Sequence, residues 1–304
     1  STQGYSSAAS DVYKRQVVLS KRAKIEYSLG YMVIRGEEVH RIFMEEVETV
    51  MIETTAVSLT AAWINECLHR KIKIIFCDER RNPAGEILPY RGSHDSSRQI
   101  RSQLKWDSCL KKEIWAQIVK EKIDKQKQVL IAFECSKEAR LLERYMKEVE
   151  PGDITNREGH AAKVYFNALW GKDFSRRDET VENGALNYGY AVILSACNRE
   201  IATSGYMTQI GLFHDNIFNP FNLGSDLMEP FRPMVDMLVL RMAPQKLTTE
   251  EKHQLIDILN RQVLIKGKKT TVTHAIGIYC RSVFRALEEQ DLSLLSFYSE
   301  IYEE

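Results

Sequence analysis

The sequence predicts an α+β chain, with a small β-rich N-terminal domain followed by a larger all-α C-terminal domain. Three observations carry that reading. Between residues 17 and 90, short runs rich in β-branched residues alternate with turn signals such as Gly30 and Gly36. Near Gly92 the apolar period changes from about 2 to about 3.6 and stays helical almost to the end. At 304 residues and 44% hydrophobic content, the chain can bury one large core or two ordinary ones.

Residues 1–16 are small and polar, with no helical or strand period, and are read as a leader or mis-joined segment outside the fold. Strands are predicted at Val17-Val18-Leu19, Ile25-Glu26-Tyr27-Ser28-Leu29, Tyr31-Met32-Val33-Ile34, Val50-Met51-Ile52 and Ile72-Lys73-Ile74-Ile75-Phe76. One helix, over 55–70, interrupts them, with Leu59, Ala62, Trp63, Cys67 and Leu68 roughly on one face. The β-rich domain is therefore assigned to 17–92. Helices are predicted near 96–126, 127–148, 156–170, 184–204, 226–242, 249–260 and 272–290, so the helical domain spans 93–290. Residues 291–304 are acidic with apolar interruptions and are read as a tail, either mobile or a docking peptide.

No apolar run approaches the roughly 18 to 20 residues that span a bilayer, and no signal-peptide pattern opens the sequence, so a cytoplasmic protein is expected, with no membrane partner. The six cysteines are scattered without a CxxC pair, which fits reduced thiols in the core better than a disulfide or zinc framework. The formal net charge is +0, so binding to a polyanion must rest on local patches. From Arg98 to Lys147 there are 13 Lys and Arg against 7 Asp and Glu. This stretch, with Lys111, Lys112, Lys120 and Arg144 on it, is either a solvated helical face or a surface that tracks phosphates.

The chemistry gathers between Gly211 and Pro233. A lone His214 precedes an Asn/Phe/Pro/Gly loop, and Asp226 and Glu229 stand three residues apart ahead of Arg232, which follows Pro230-Phe231 and precedes Pro233. Ser225 reads as an N-cap, which makes the two acids first-turn residues that favour the positive end of a helix. Arg232 is either a source of positive charge for a phosphate or a helix-start salt-bridge partner. A second motif, Thr155-Asn156-Arg157-Glu158-Gly159-His160-Ala161-Ala162, has two readings: Thr155 and Glu158 have capping-box spacing, yet the small residues beside Glu158 admit a close approach. His160 is read as structural. Carboxylates are natural ligands of Mg2+ and Mn2+, and one imidazole tilts the set toward Mn2+ without excluding Mg2+.

Together with Leu186-Asn187-Tyr188-Gly189-Tyr190, these segments resemble the CRISPR-associated spacer-acquisition integrase, or adaptation endonuclease-integrase, most of all its type II branch. The resemblance covers roughly residues 17–290. It implies that Glu158, His214 and Glu229 hold a divalent metal, that Asp226 is an additional acid supporting the site, and that a spacer precursor's 3′-hydroxyl attacks a phosphodiester of the CRISPR repeat. It further implies double-stranded DNA as ligand, a homodimer formed largely through the β-rich domain, and a small ferredoxin-like partner dimer flanked by two such dimers. Other type II adaptation proteins are a further expectation. Two other functions use the same residues: a metal-dependent nuclease that cuts branched or single-stranded DNA without integration, and a non-catalytic scaffold whose acids only cap helices.

Overall fold

Strand-forming runs in the N-terminal part assemble into two sheets around a shared apolar core. The computed structural model describes residues 15–79, 83–90 and 96–300. Its contacts divide the chain into two units, one through Pro89 and one from Tyr90. The first contains β1 (Arg15–Leu19), β2 (Ala23–Ser28), β3 (Tyr31–Arg35), β4 (Val39–Phe43), β5 (Val47–Ile52), β6 (Val57–Leu59), α1 (Ala61–His69), β7 (Lys73–Cys77) and β8 (Pro83–Ile87). One sheet has the order β4-β3-β2-β6 and the other β1-β5-β7-β8.

The local reasons are plain in the sequence. Leu29 and Gly30 both take positive φ, at 49° and 84°, which gives the two-residue turn that lets β2 pair antiparallel with β3, Ser28 opposite Tyr31. Strand β5 is buried along its whole length because β1 and β7 flank it in parallel. Helix α1 packs Trp63 and Cys67 into the core with Ile25, Val50 and Ile74. The helix predicted over 55–70 is corrected: residues 57–59 pair with β2 as strand β6, and the hydroxyl of Thr60 accepts from the Trp63 N–H to start α1. The leader is corrected at its end too, since Arg15 and Gln16 already belong to β1; residues 1–14 lie outside the described residues, as does the boundary at Gly92.

The second unit holds α2 (Ser96–Gln103), α3 (Ser108–Ala132), α4 (Ser136–Lys147), α5 (Arg157–Trp170), α6 (Val181–Thr203), α7 (Asn222–Leu227), α8 (Arg232–Met242), α9 (Thr249–Asp257), β9 (Gln262–Ile265), β10 (Lys268–Thr271), α10 (Val272–Glu289) and β11 (Tyr298–Glu300). The single helix expected over 96–126 is two, because the Asp107 carboxylate accepts from the Leu110 N–H at 2.8 Å and caps a new helix, α3, that runs on to Ala132. Helix α6 is buried on most of its surface, packed against α7, α8, α9 and α10. Its Gly189 is required there: a Cβ would collide with Val235 of α8.

The unit is not all-α. Strands β10-β9-β11 form a small antiparallel sheet, with Lys266 and Gly267 at positive φ in the β9–β10 turn. Residues 291–300, read as the start of an acidic tail, are packed into this unit. Tyr298 is buried, stacks on Phe231 with ring centroids 4.7 Å apart, and donates its hydroxyl to the Pro230 carbonyl at 3.1 Å. Residues 301–304 lie outside the described residues. The cysteines are also only partly as expected: Cys67, Cys77, Cys197 and Cys280 are buried, whereas Cys109 is exposed and Cys135 half-buried; all six are free thiols. Among the described residues no helix is long and apolar enough to cross a membrane.

Beneath the site lies a buried acid, Asp236 of α8, whose carboxylate accepts hydrogen bonds from Tyr165 at 3.0 Å and from Tyr190. Burial pushes its carboxyl up to about 6, although both tyrosines and Arg232 pull the other way. The unfolded value is about 3.9. A carboxyl raised in the folded state adds stability that is fully present below the unfolded value and is lost as pH rises through about 6. The stability of the natural protein relative to Asp236→Asn is therefore expected to fall by about 2 kcal/mol between pH 4 and 7.5. Urea unfolding at several pH values measures this, and a difference that stays level with pH contradicts it.

Candidate active site

Asp226, on α7, is wholly buried, and its carboxylate organises the loop that precedes it. The backbone N–H groups of Leu212, Phe213 and His214 all donate to it, at 2.6, 3.1 and 3.1 Å. The His214 ring meets the same carboxylate through Nδ1 at 2.6 Å. A carboxylate only accepts, so the neutral ring carries its proton on Nδ1 and presents the Nε2 lone pair elsewhere. Gly211 is the small residue this arrangement demands, since a Cβ would collide with the His214 carbonyl and lie 2.6 Å from Asp226 Oδ2. Phe213 stacks on the buried Trp115 of α3, centroids 4.6 Å apart, and His214 meets the same indole edge-on.

Ser225 is not an N-cap. The helix begins at Asn222, ends at Leu227, and gives way to a 3-10 turn over Glu229–Phe231 before α8 starts at Arg232. Pro230 and Pro233 each stand where a backbone N–H has no helical partner to lose. Glu229 is buried in that turn. Its Oε1 pairs with Arg232 Nε at 2.8 Å, and the guanidinium lies over the Tyr190 ring, 4.6 Å from its centroid. Arg232 is thus a salt-bridge partner of Glu229.

Glu158 opens α5, and the capping box predicted for Thr155 and Glu158 does not form. The cap is Asn156, in the left-handed region, whose side chain accepts from the Gly159 N–H, while Asp153 takes the Arg157 and Glu158 N–H groups at 2.8 and 3.0 Å. With its helix start satisfied by other residues, the Glu158 carboxylate points to Lys122 of α3. Lys122 Nζ lies 2.5 Å from Glu158 Oε1 and also pairs with Glu229 Oε2. His160, by contrast, is exposed beside Tyr145.

The structure therefore gathers Glu158 and Glu229 on one cation, and that cation is a lysine the motif reading missed. A signal for it exists: Trp115, Val119, Lys122, Gln126 and Val129 form one helical stripe of α3, all buried, with a lysine at a core position. Among the described residues, no group of three or more His, Cys, Asp or Glu is arranged to hold a metal ion, and the two glutamates meet on the Lys122 ammonium. The donor set nevertheless has the chemistry of a hard divalent cation's site: two carboxylates already sharing a positive charge, and an imidazole whose orientation a second acid fixes.

The charges sustain one another. Burial opposes ionisation of Glu229, but Arg232 and Lys122 hold its carboxyl below the usual range. Burial likewise opposes the Lys122 ammonium, and Glu229 and Glu158 outweigh it and raise its pKa. The hydrogen bond to Asp226 raises the His214 pKa against the effect of burial, with Glu229 and Glu158 adding to it.

The remaining residues assigned to DNA lie on α3 and α4. Lys112 and Arg144 are exposed and Lys111 and Lys120 are half-buried. Arg144 lies over the Tyr145 ring, 5.7 Å from its centroid, and 3.8 Å from Glu148. A few lysines of this stretch face inward, Lys122 in the site, Lys125 paired with Glu121 and over Tyr298, and Lys127 tying Asp124 to Glu143 of α4, but most of its basic residues are exposed.

Known proteins share this chain's sequence and fold. The family model described as CRISPR associated protein Cas1 matches residues 17–275. The CRISPR-associated endonuclease Cas1 of Neisseria meningitidis serogroup C (strain 8013) is 33% identical over 270 residues, covering 86% of this chain and 88% of the relative. Among solved structures, a casposase bound to integration product has the same fold at a TM-score of 0.75 and 19% identity, covering 91% of each chain. A Cas6-RT-Cas1--Cas2 complex matches at a TM-score of 0.74 and 17% identity, covering 98% of this chain and 37% of that one. With the family match spanning most of its length, the chain belongs to the CRISPR-associated Cas1 family.

Proposed function

We propose that this chain is a divalent-metal-dependent DNA integrase of CRISPR adaptation, joining the 3′-hydroxyl of a spacer precursor to a phosphodiester of the CRISPR repeat. The observation that carries this reading is the convergence of Glu158 and Glu229 on a single cation position, with both glutamates acting electrostatically on an imidazole that Asp226 orients. Family membership supports it, as does the fold shared with a casposase bound to integration product.

Glu158, His214 and Glu229 would hold one Mg2+ or Mn2+, which when bound supplies Lewis-acid stabilisation of charge on the phosphoryl oxygens and the leaving 3′-oxygen. Asp226 acts through His214, fixing its tautomer and aim. Arg232 and the Tyr190 face hold Glu229 ionised and in place. The β-rich unit is assigned to homodimerisation and the helical unit to duplex DNA, with Lys111, Lys112, Lys120 and Arg144 on the phosphate-tracking face. A small ferredoxin-like partner dimer completes the assembly. This assignment draws on the resemblance in sequence and on a structural relative described as a Cas1--Cas2 complex.

His214→Ala and Glu229→Gln are expected to abolish strand transfer with Mn2+ present while leaving duplex binding within about threefold, because ligand loss removes the chemistry and not the phosphate contacts. The glutamine matters: Glu229→Ala would strand Arg232 as a buried cation and leave Lys122 with Glu158 alone, at a cost of about 3–5 kcal/mol, whereas glutamine keeps an oxygen against both. A labelled spacer precursor incubated with a repeat-containing plasmid separates joined from merely cut products, so cutting without joining would favour the nuclease. Natural rates in either variant would remove these residues from the reaction.

Log affinity for duplex DNA should fall linearly with log salt, with a slope of about −0.9 per phosphate neutralised. Charge reversal at Lys111 with Lys112, or at Lys120 with Arg144, should flatten that slope; an unchanged slope in both double variants would leave this face merely solvated. For assembly, sedimentation at tens of micromolar should give a dimer's mass, and a strictly monomeric boundary would contradict the role given to the β-rich unit.

A further inference from the structure

Lys122 has a place in this site that a generic structural ion pair does not explain. It rises from the buried stripe of α3 and ends between two carboxylates from two other segments, α5 and the turn before α8. Glu158 and Glu229 contribute two negative charges there, and Lys122 and Arg232 two positive ones. The group is neutral as it stands. A divalent ion added to it would leave an excess of positive charge in a largely buried place even with the Asp226 carboxylate behind His214 counted, which is unfavourable unless a cation leaves.

Arg232 is the poorer candidate to leave, because its guanidinium is fixed on the Tyr190 ring as well as on Glu229. Lys122 is the better one. Its long aliphatic arm is flexible, and its ammonium bears on the same two carboxylates that a metal would need. The distances make the two cations exclusive. An ion at about 2.0–2.2 Å from Glu158 Oε1 lies no more than about 5 Å from Nζ, and like charges that close in a low-dielectric site repel strongly.

We propose that Lys122 is the resident counter-cation of this site, neutralising Glu158 and Glu229 in the metal-free protein and moving aside when the divalent ion binds. Lys122 is then a positioning residue. It keeps the two carboxylates gathered before any metal arrives, and it lowers metal affinity because the ion must displace an ammonium. The inference rests on the metal reading above.

The test is direct Mn2+ binding to the full chain without DNA, by titration calorimetry, together with thermal unfolding with and without Mn2+. Lys122→Met removes the charge and keeps the bulk; Lys122→Gln removes the charge and keeps donors for both carboxylates, so the fold is retained even if methionine is not tolerated. Both variants are expected to bind Mn2+ about tenfold or more tightly than the natural protein, since they leave Glu158 without its counter-charge and Glu229 with Arg232 alone. Both should melt lower without metal and gain more from a fixed Mn2+ concentration, as tighter binding to the folded state requires. Equal or weaker Mn2+ affinity in the glutamine variant overturns the displacement while leaving the metal site standing. Absence of Mn2+ binding in the natural protein and in both variants overturns the metal reading with it, and makes Glu158, Lys122 and Glu229 a structural ion network.

Discussion

A carboxylate with no exposure to water must be solvated by the protein around it, and Asp226 is such a group. Three consecutive backbone N–H groups and an imidazole turn inward to meet it, which decides the path of residues 212–214 before any substrate is considered. Asn222 secures the same corner from the next turn of chain, donating to the carbonyls of Gln209 and Asn216, each at 3.0 Å. The loop is therefore held by buried polar groups at the start and near the end of one short helix. Gly211 follows from this constraint, because only a residue without a Cβ passes so near the carboxylate. So does the tautomer of His214, and with it the direction in which a free lone pair is offered.

Helix α3 supplies the counterpart in positive charge. Three of its lysines are turned to acids of this unit, which separates them from the exposed basic residues around them. Lys122, Lys125 and Lys127 are tied to Glu158 and Glu229, to Glu121, and to Asp124 and Glu143. Their charges organise the unit's interior and its edges and are weak contributors to any field that a passing phosphate would meet. The excess itself stays at the surface, where exposed lysines and arginines, Lys112 and Arg144 among them, outnumber the exposed acids. A chain of zero net charge can thus carry a basic surface over fifty residues while a few of its lysines are spent on its own acids.

This explains which parts of the molecule were legible. The α+β class followed from a change of apolar period that both units retain, and Asp226, His214, Glu229 and Glu158 stood out because turn residues or small residues surrounded them. What escaped was set by contacts distant in sequence. Lys122 occupies a core position on α3, and nothing within α3 says that Glu158, 36 residues on, and Glu229 will share it. The capping box at Thr155 lost to Asn156 because Asn tolerates the left-handed region and Asp153 reaches the same N–H groups from the preceding 3-10 turn. Strand β6 was absorbed into a helix because three residues are too few to show a period, and it exists only because β2 is there to pair with it. The sheet β10-β9-β11 was missed for a similar reason, its third strand arriving from a segment whose acidic composition concealed one buried tyrosine.

Arg232 shows how such a site reaches its working charge state. Two uses were open to it from sequence, a phosphate contact and a salt bridge, and its partners in the structure are Glu229 and the face of Tyr190. Tyr190 in turn donates to Asp236, a buried acid kept high by burial, so the ring that carries the guanidinium is itself anchored by a hydrogen bond from below. Each ionised group is thereby held by another before substrate binds: Glu229 by Arg232 and Lys122, the His214 ring by Asp226, and Glu158 by Lys122. The contacts that remain when a metal takes the place of Lys122, Glu229 on Arg232 and His214 on Asp226, do not have to reorganise when charge develops on a reacting phosphate, which is the circumstance in which fixed dipoles and charges are most effective. The cost of burying so many charges is met within the site itself, because every one of those carboxylates has a cation or a donor against it.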